Sequence, residues 1–118
     1  MAAPVVHFEI IGKDAAGLRD FYSKMFDWKI DANNDMNYGI IEKEGNGIGG
    51  GIGSAREGEP PYVAVYVSVP DTDATLKKAE SLGGKVIVPT TVIPGMVTFA
   101  IFEDPEGNKF GLVKDEDM

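Results

Sequence analysis

An internal repeat dominates this sequence and limits the folds that it can adopt. Residues 5–11 are rich in β-branched side chains between turn-forming neighbours, which predicts a strand. Residues 14–26 carry an apolar stripe at helical spacing, and Asp14 is placed to cap the start of that helix. The stripe consists of Leu18, Phe21, Tyr22 and Met25. Three shorter strands are predicted next, at residues 28–30, 38–42 and 48–52.

The second half of the chain repeats this order. Residues 62–69 predict a strand, and Asp71 is placed to cap a helix that runs through Leu82 and ends at Gly83-Gly84. Three further strands are predicted at residues 85–88, 98–102 and 109–113. The helix caps are offset by 57 residues, whereas the matching segments EGNGIG (44–49) and EGNKFG (106–111) are offset by 62. We therefore expect about five extra residues in the second copy, in the hairpin before its last strand.

These patterns predict an α+β fold in a single domain over residues 1–118. Module one is expected at about residues 1–55 and module two at about 60–118, with the polar, Pro-Pro-ending segment 56–61 between them. Each βαβββ module can bury one sheet face under its own helix, and the two modules can pair.

Alternation along the first strand separates side chains that face the helix from those that face away. Phe8 and Ile10 are predicted on the helix side, which leaves His7, Glu9 and Ile11 on the opposite face. The same alternation in module two predicts an opposite face formed by Ala64, Tyr66, Ser68, Lys109, Gly111 and Val113. These two faces hold the candidate binding residues.

Residues 45–50 match the Gly-x-Gly-x-x-Gly pattern of dinucleotide-binding loops. That loop requires a helix directly after its glycines, because the helix N-terminus holds the pyrophosphate. Residues 51–54 and the Pro-Pro segment predict no helix. We interpret the glycines as a bent strand that leaves volume on its face.

Composition and charge exclude several classes of function. The chain has no cysteine, so it has no disulfide framework, thiolate nucleophile or cysteine-ligated zinc. Its net charge of −8 opposes nucleic-acid binding and either serves solubility or favours a cationic ligand. No apolar run approaches the roughly 18 residues of a membrane span, and no signal peptide is recognisable at the N-terminus. We expect a cytoplasmic protein that binds neither nucleic acid nor membrane.

The repeated arrangement resembles the vicinal oxygen chelate superfamily, also called the glyoxalase/bleomycin-resistance/dioxygenase fold. The segments that carry the resemblance are residues 6–11 with Asp14, 21–28, 67–71, 82–86 and 102–110. The Asp-Pro-Glu-Gly-Asn run at 104–108 is the most specific, and the resemblance spans residues 5 to about 114. It implies a curved, mostly antiparallel eight-stranded sheet around a cleft, with the helices outside. It also implies a homodimer, for which the glycine-rich strand 48–53 is a candidate edge.

Metal-using members of this superfamily typically supply a histidine from the first strand of each module and an acidic residue from each last strand. In this sequence His7 occupies the first of these positions. The other positions fall on residues without a ligand atom, namely Ala64, Gly49 or Gly50, and Gly111. Glu9 could add an oxygen from the same face, which allows at most a weakly held divalent metal. We therefore expect no resident cofactor, because these departures from the family's ligand pattern argue against the metal-dependent chemistries.

His7, the only histidine in the chain, has two interpretations. One is a partly buried side chain whose hydrogen bonds are satisfied by a neighbour. The other is a functional group, because Glu9 lies two residues away on the same face and could orient the imidazole. A carboxylate at that position would favour the charged form of the imidazole.

Two functions from different classes follow from these residues. The first is a metal-independent cleft that sequesters a planar or cationic small molecule, with Tyr66, Ser68, Ile11 and Lys109 as candidate ligand-binding residues. The second is a lyase, isomerase or dioxygenase-like enzyme that uses His7 and Glu9 as catalytic residues, with or without a weakly held metal. Further aromatic residues that could stack on a planar ligand are Trp28, Tyr38 and Tyr62, although Trp28 also suits core or interface packing. An interaction subunit with a vestigial cleft is a third possibility that no residue favours.

Overall fold

A computed structural model describes residues 2–115 of the chain. Module one contains β1 (Val5–Gly12), α1 (Ala15–Phe26), β2 (Ile30–Asp31), β3 (Gly39–Ile41) and β4 (Gly49–Ser54). Module two contains β5 (Tyr62–Val69), α2 (Thr72–Ser81), β6 (Lys85–Ile93), β7 (Val97–Glu103) and β8 (Lys109–Lys114). The predicted α+β fold, with strand, helix and three strands occurring twice, is confirmed. Among residues 2–115, no helix is long and apolar enough to cross a bilayer.

Both modules have the same strand order. In module one the order is β2-β3-β4-β1, and in module two it is β6-β7-β8-β5. The first and last strands of each module pair in parallel, and the other described pairs within the modules are antiparallel. Because β4 pairs with both β1 and β3, it offers no free edge in module one, so the prediction of a dimer edge on the glycine-rich strand is wrong.

The chain divides into two compact units that follow the modules closely. One unit holds residues 7–63, and the other holds the remaining described residues, including the first two residues of β1. In that second unit, the backbone N–H of Ser68 donates to the carbonyl of Pro4 at 2.9 Å.

The helix starts are capped as predicted. Asp14 accepts a hydrogen bond from the backbone N–H of Gly17 at 2.9 Å, and Asp71 accepts one from Ala74 at 3.0 Å. Each carboxylate satisfies one of the N–H groups that a helix start leaves without an intrahelical partner.

Each module has its own apolar core between helix and sheet. In module one the buried residues are Ile10, Ala15, Ile41 and Ile52, with Phe8, Leu18, Tyr22, Trp28 and Ile30 packed against them. In module two they are Val69, Leu76, Ala100 and Leu112, with Val67, Val86 and Phe102. These clusters confirm the predicted helix-facing sides of the strands and show that Trp28 packs in the core.

The predicted apolar stripe of α1 is only half correct. Leu18 and Tyr22 contact the core, whereas Phe21 and Met25 are more than half exposed. The core contacts of the helix centre on Ala15, Leu18 and Tyr22, which leaves the flank with Phe21 and Met25 uncovered.

The modules differ in the turn before the last strand. β4 begins four residues after Gly45, whereas β8 begins two residues after Gly107, and both glycines have a positive φ (56° and 92°). β6 accounts for the largest difference in length, with nine residues against two in β2, and it contains two register shifts.

The different turn lengths change which glycines correspond. The sequence match paired Gly49 with Gly111, but Gly51 and Gly111 are each the third residue of their strand. The strand registers agree, because Glu9 lies opposite Gly51 and Tyr66 lies opposite Gly111. The predicted correspondence of Gly49 is therefore wrong by two residues.

Candidate functional site

The face of module one that points away from its core carries His7, Glu9 and Ile11. Glu9 and Ile11 are only 8% and 7% exposed. In the parallel ladder these three residues lie opposite Gly49, Gly51 and Gly53 of β4, none of which has a side chain. The alternation in the sequence correctly predicted which residues of β1 share this face.

Tyr38 completes this face, and its hydroxyl joins the other two polar groups. The hydroxyl donates to Oε2 of Glu9 at 2.7 Å and lies 3.1 Å from Nε2 of His7. A methyl group added at Gly51 would overlap the Tyr38 phenol, and one at Gly53 would crowd its ring. The volume left by these glycines is thus filled by Tyr38, which corrects the expectation of an open space. His7, Glu9 and Tyr38 are called the module-one cluster below.

The segment between β2 and β3 holds Tyr38 by its backbone. The side-chain amide of Asn34 donates to the carbonyl of Tyr38 at 2.8 Å, and its oxygen accepts from the N–H of Tyr38 at 3.1 Å. The same oxygen accepts from the N–H of Met36, and Asn37 has a left-handed φ of 51°. The sequence indicated only a turn here, so the positioning role of Asn34 was missed.

The hydrogen bonds of the cluster determine where the Tyr38 hydroxyl hydrogen points and which nitrogen of His7 carries a hydrogen. A tyrosine hydroxyl has one hydrogen, and an ionised Glu9 can only accept, so the hydroxyl uses that hydrogen for Glu9. It follows that Nε2 of His7 carries a hydrogen and donates to the Tyr38 oxygen.

His7 favours its neutral form in the folded chain. Burial lowers the pKa of His7 from its usual 6.5, because the charged imidazolium loses hydration there. The direction of this shift is opposite to the one expected from Glu9, and its cause is the loss of hydration on burial.

A second tyrosine of the same unit is influenced by Glu9. Burial, followed by the negative charges of Glu9 and Glu59, raises the pKa of Tyr62 to about 12, and the positive charge of Arg56 opposes this rise. Arg56 is itself paired with Glu59 at 3.1 Å. At neutral pH the Tyr62 hydroxyl consequently keeps its hydrogen.

The corresponding face of module two carries Tyr66, Ser68 and Lys109. Tyr66 is 5% exposed, and a methyl group at Gly111 would overlap its ring, as Tyr38 does with Gly51. The hydroxyl of the buried Ser68 donates to Oδ1 of Asp115. Lys109 is half-buried at the start of β8.

The donor set does not fit a resident divalent ion. Ala64 and Gly111, at the ligand positions that the family resemblance implies for module two, carry no donor atom, and neither does Gly51 in module one. Among residues 2–115, no three His, Cys, Asp or Glu side chains come together as a metal site would require. His7 and Glu9 share the hydroxyl of Tyr38 instead.

A separate groove lies near the edge of module one. Its volume is about 310 Å³, and it is lined by Lys29, Ile30, Asp31, Ile40 and Glu42. No residue of the module-one cluster lines this groove. The groove and the polar cluster are therefore separate features of the module.

The Asp-Pro-Glu-Gly-Asn segment forms a turn rather than a ligand site. Asp104 accepts hydrogen bonds from the backbone N–H groups of Glu106 and Asn108 and from the side chain of Asn108, at 2.8–2.9 Å. These bonds, with the Asn108 side chain as the largest contributor, hold the pKa of Asp104 below 3.8. The most specific motif of the sequence thus specifies the approach to β8.

Comparison with known sequences agrees with this architecture. CFP32 of Mycobacterium bovis, a protein that carries the name glyoxylase, is 36% identical over 79 residues, which are 67% of this chain and 30% of that protein. The anthracycline biosynthesis protein DnrV of Streptomyces peucetius is 27% identical over 122 residues, covering 89% of this chain and 44% of DnrV. The chain spans less than half the length of these curated relatives.

Solved structures share the fold at low sequence identity. Methylmalonyl-CoA epimerase from Mycobacterium tuberculosis superposes with a TM-score of 0.64 at 15% identity, covering 93% of this chain and 86% of that chain. A glyoxalase/bleomycin resistance protein/dioxygenase superfamily member from Vibrio splendidus gives a TM-score of 0.62 at 15% identity, with 97% and 100% covered. Residues 5–112 match the family model itself. The chain belongs to the Glyoxalase/Bleomycin resistance protein/Dioxygenase superfamily.

Proposed function

We propose that this protein binds a small molecule on the face of module one that carries His7, Glu9 and Tyr38. The observation that carries this proposal is the hydroxyl of Tyr38 lying between an imidazole and a carboxylate that is only 8% exposed. Such a polar group, set on a face of Ile11 and glycines, gives a ligand a defined orientation. Burying these groups costs free energy unless each is paired, and here the Tyr38 hydroxyl pairs with both of the others.

The ligand that this face suits is planar or cationic. The rings of His7 and Tyr38 are nearly parallel, at 22° with centroids 6.5 Å apart, and provide flat contact area. The carboxylate of Glu9 and the net charge of −8 favour positive charge. Tyr66, Ser68 and Lys109 remain candidate ligand-binding residues of module two by itself, as the alternation in the sequence predicts.

The proposed binding is independent of a metal. A divalent ion in a catalytic site commonly has three protein ligands, and the described residues offer His7 and Glu9 joined through Tyr38. An ion would have to displace the Tyr38 hydroxyl from both partners before it could bind them.

A thermal-shift screen of aromatic and cationic compounds, with EDTA and separately with divalent metals, tests this proposal. Ligands that bind the native state raise the unfolding temperature. We expect stabilisation that EDTA leaves unchanged and that His7→Ala abolishes. Lys24→Ala, which removes an exposed ion pair on α1, is the control and should respond like the parent chain. Stabilisation by metal alone, or equal stabilisation of His7→Ala, would contradict the proposal.

A second candidate function is a lyase or isomerase that uses the same cluster. The hydrogen bonds from His7 through Tyr38 to Glu9 favour it, because they connect a neutral imidazole to a carboxylate that can accept a proton. The glyoxylase name of CFP32 is in keeping with it. In that case Glu9→Gln should abolish turnover while ligand-dependent stabilisation persists, whereas a pure binder has no turnover to lose.

A further inference from the structure

The side chain of Tyr38 is a phenol, and it lies on module one as a bound phenol would. Its hydroxyl is placed between His7 and Glu9, and its ring covers Gly51 and Gly53. The imidazole of His7 lies nearly parallel to the ring. All the contacts that define a small aromatic binding site are thus made here by a residue of the same chain.

Tyr38 belongs to the connection between β2 and β3, outside both strands. It is half-buried, and it directly follows Asn37, a non-glycine residue in the left-handed region. The side chain of Asn34 holds its backbone, and Arg19 donates to the carbonyl of Asn37 at 3.3 Å, whereas β1 and β4 form a continuous parallel ladder. The floor of this site is therefore a fixed part of the sheet, and the residue that occupies it is carried by a connecting segment.

The hydrogen-bond pattern selects a chemical class. The group between His7 and Glu9 must accept from Nε2–H and donate to the carboxylate with a single oxygen. A hydroxyl does both, whereas an ammonium cannot accept, a carboxylate cannot donate and an ether cannot donate. The glycines opposite β1 leave room for a flat ring on this face. A Cβ atom at Gly51 would already collide with the ring of Tyr38.

We propose that this face recognises a planar hydroxyaromatic compound whose phenolic hydroxyl takes the place of the Tyr38 hydroxyl when residues 32–38 move aside. Tyr38 occupies the site in the absence of ligand and so competes with it. This inference rests on the proposed binding function and narrows it to one ligand class.

Two substitutions separate the hydrogen bonds of the ligand from those of Tyr38. Tyr38→Phe keeps the ring but removes its hydrogen bonds to His7 and Glu9, so the site is vacated more easily and the ligand binds about tenfold more tightly. In the Tyr38→Phe chain only the ligand can donate to Glu9, so adding Glu9→Gln, which replaces a charged acceptor by a neutral one, weakens binding of the phenol by about tenfold.

The test is a titration with para-cresol followed by amide NMR shifts, with para-methylanisole as the matched compound without a hydroxyl hydrogen. The proteins are the parent chain, Tyr38→Phe, the double variant Tyr38→Phe with Glu9→Gln, and the control Tyr22→Phe, which alters a tyrosine on the helix side of module one. We expect para-cresol to bind the parent chain and Tyr22→Phe equally, Tyr38→Phe more tightly, and the double variant more weakly than Tyr38→Phe. Para-methylanisole should bind none of them measurably.

Equal binding of both compounds, or no binding of para-cresol to the parent chain and Tyr38→Phe, would overturn this inference. If a different compound stabilises the parent chain in a His7-dependent manner, the phenol inference alone fails. If no compound of any class does so, the proposed function fails with it.

Discussion

Among single residues, Gly51 determines the candidate site as much as any polar side chain does. It lies opposite Glu9, and its missing side chain allows the Tyr38 phenol to lie against the sheet. Asn34 then fixes the backbone of Tyr38 from both its N–H and its carbonyl. The module-one cluster therefore depends on the missing side chain of Gly51 and on the side-chain amide of Asn34. Within the cluster, this amide contacts Tyr38 alone.

Gly51→Ala should move Tyr38 away from Glu9 and destabilise the protein. The added methyl would overlap the Tyr38 hydroxyl, and overpacking of this kind costs about 1–3 kcal/mol. Urea unfolding measures the loss, and Gly47→Ala is the control, because Gly47 lies in an exposed turn without a positive φ. If Gly51→Ala were as stable as Gly47→Ala, the placement of Tyr38 would be incorrect.

His7 should make the stability of the protein depend on mildly acidic pH. Burial lowers its folded pKa, so the unfolded chain takes up a proton near pH 6.5 before the folded chain does. Its contribution to the free energy of unfolding is present above pH 6.5 and is lost as the pH falls towards the folded pKa. Comparing the parent chain with His7→Asn between about pH 8 and pH 5 measures this contribution. If the stability of the parent chain relative to His7→Asn increased as the pH fell, the charge of Glu9 would control the pKa of His7 instead of burial.

Part of this site could be predicted from the sequence. Strand alternation was sufficient to bring His7, Glu9 and Ile11 onto one face, because a period of two needs no tertiary information. The position of Tyr38 could not be predicted, since it depends on how residues 32–38 fold around Asn34. Alternate glycines at 49, 51 and 53 were the one available signal, and they indicated an open volume as readily as a filled one.

At the scale of helices and strands, the sequence specified starts better than lengths. Both helix caps were predictable, because an aspartate at the start of a helix accepts a hydrogen bond from a backbone N–H only three residues later in the sequence. The length of β6, nine residues, could not be predicted, because it depends on pairing with β7 across two register shifts. The shared EGN motif also misled the alignment of Gly49, since it marks a turn whose distance from the next strand differs between modules.

The turn before β8 should be stabilised by the ionised form of Asp104. Its carboxylate accepts from Asn108 and from backbone N–H groups, which lowers its folded pKa below 3.8. Its contribution to stability is present above pH 3.8 and is lost as the pH falls through the folded value. Asp104→Ala should therefore lower the unfolding temperature at pH 7 but not at about pH 2.5. Glu106→Ala leaves these acceptor oxygens in place and serves as the control.

For the whole molecule, we propose a homodimer, as the family resemblance implies. The glycine-rich β4 cannot supply the edge, because both its sides are paired within module one. α1 does present Phe21, Met25 and Phe26 with more than half of each side chain exposed. Light scattering should give twice the chain mass of 12.7 kDa, and a mass of one chain at high concentration would contradict the proposal.

The central claim, that ligand binds beside the hydrogen-bonded His7 of module one, is tested most directly by ¹⁵N NMR of the imidazole. The chain has a single histidine, so both ring nitrogen signals belong to His7, and their couplings to the carbon-bound ring hydrogens distinguish Nδ1 from Nε2. We predict a neutral ring protonated at Nε2 near pH 7.5, with both signals shifting in proportion to ligand added. A ring protonated at Nδ1, or signals that stay unchanged when a stabilising ligand is saturating, would contradict the account.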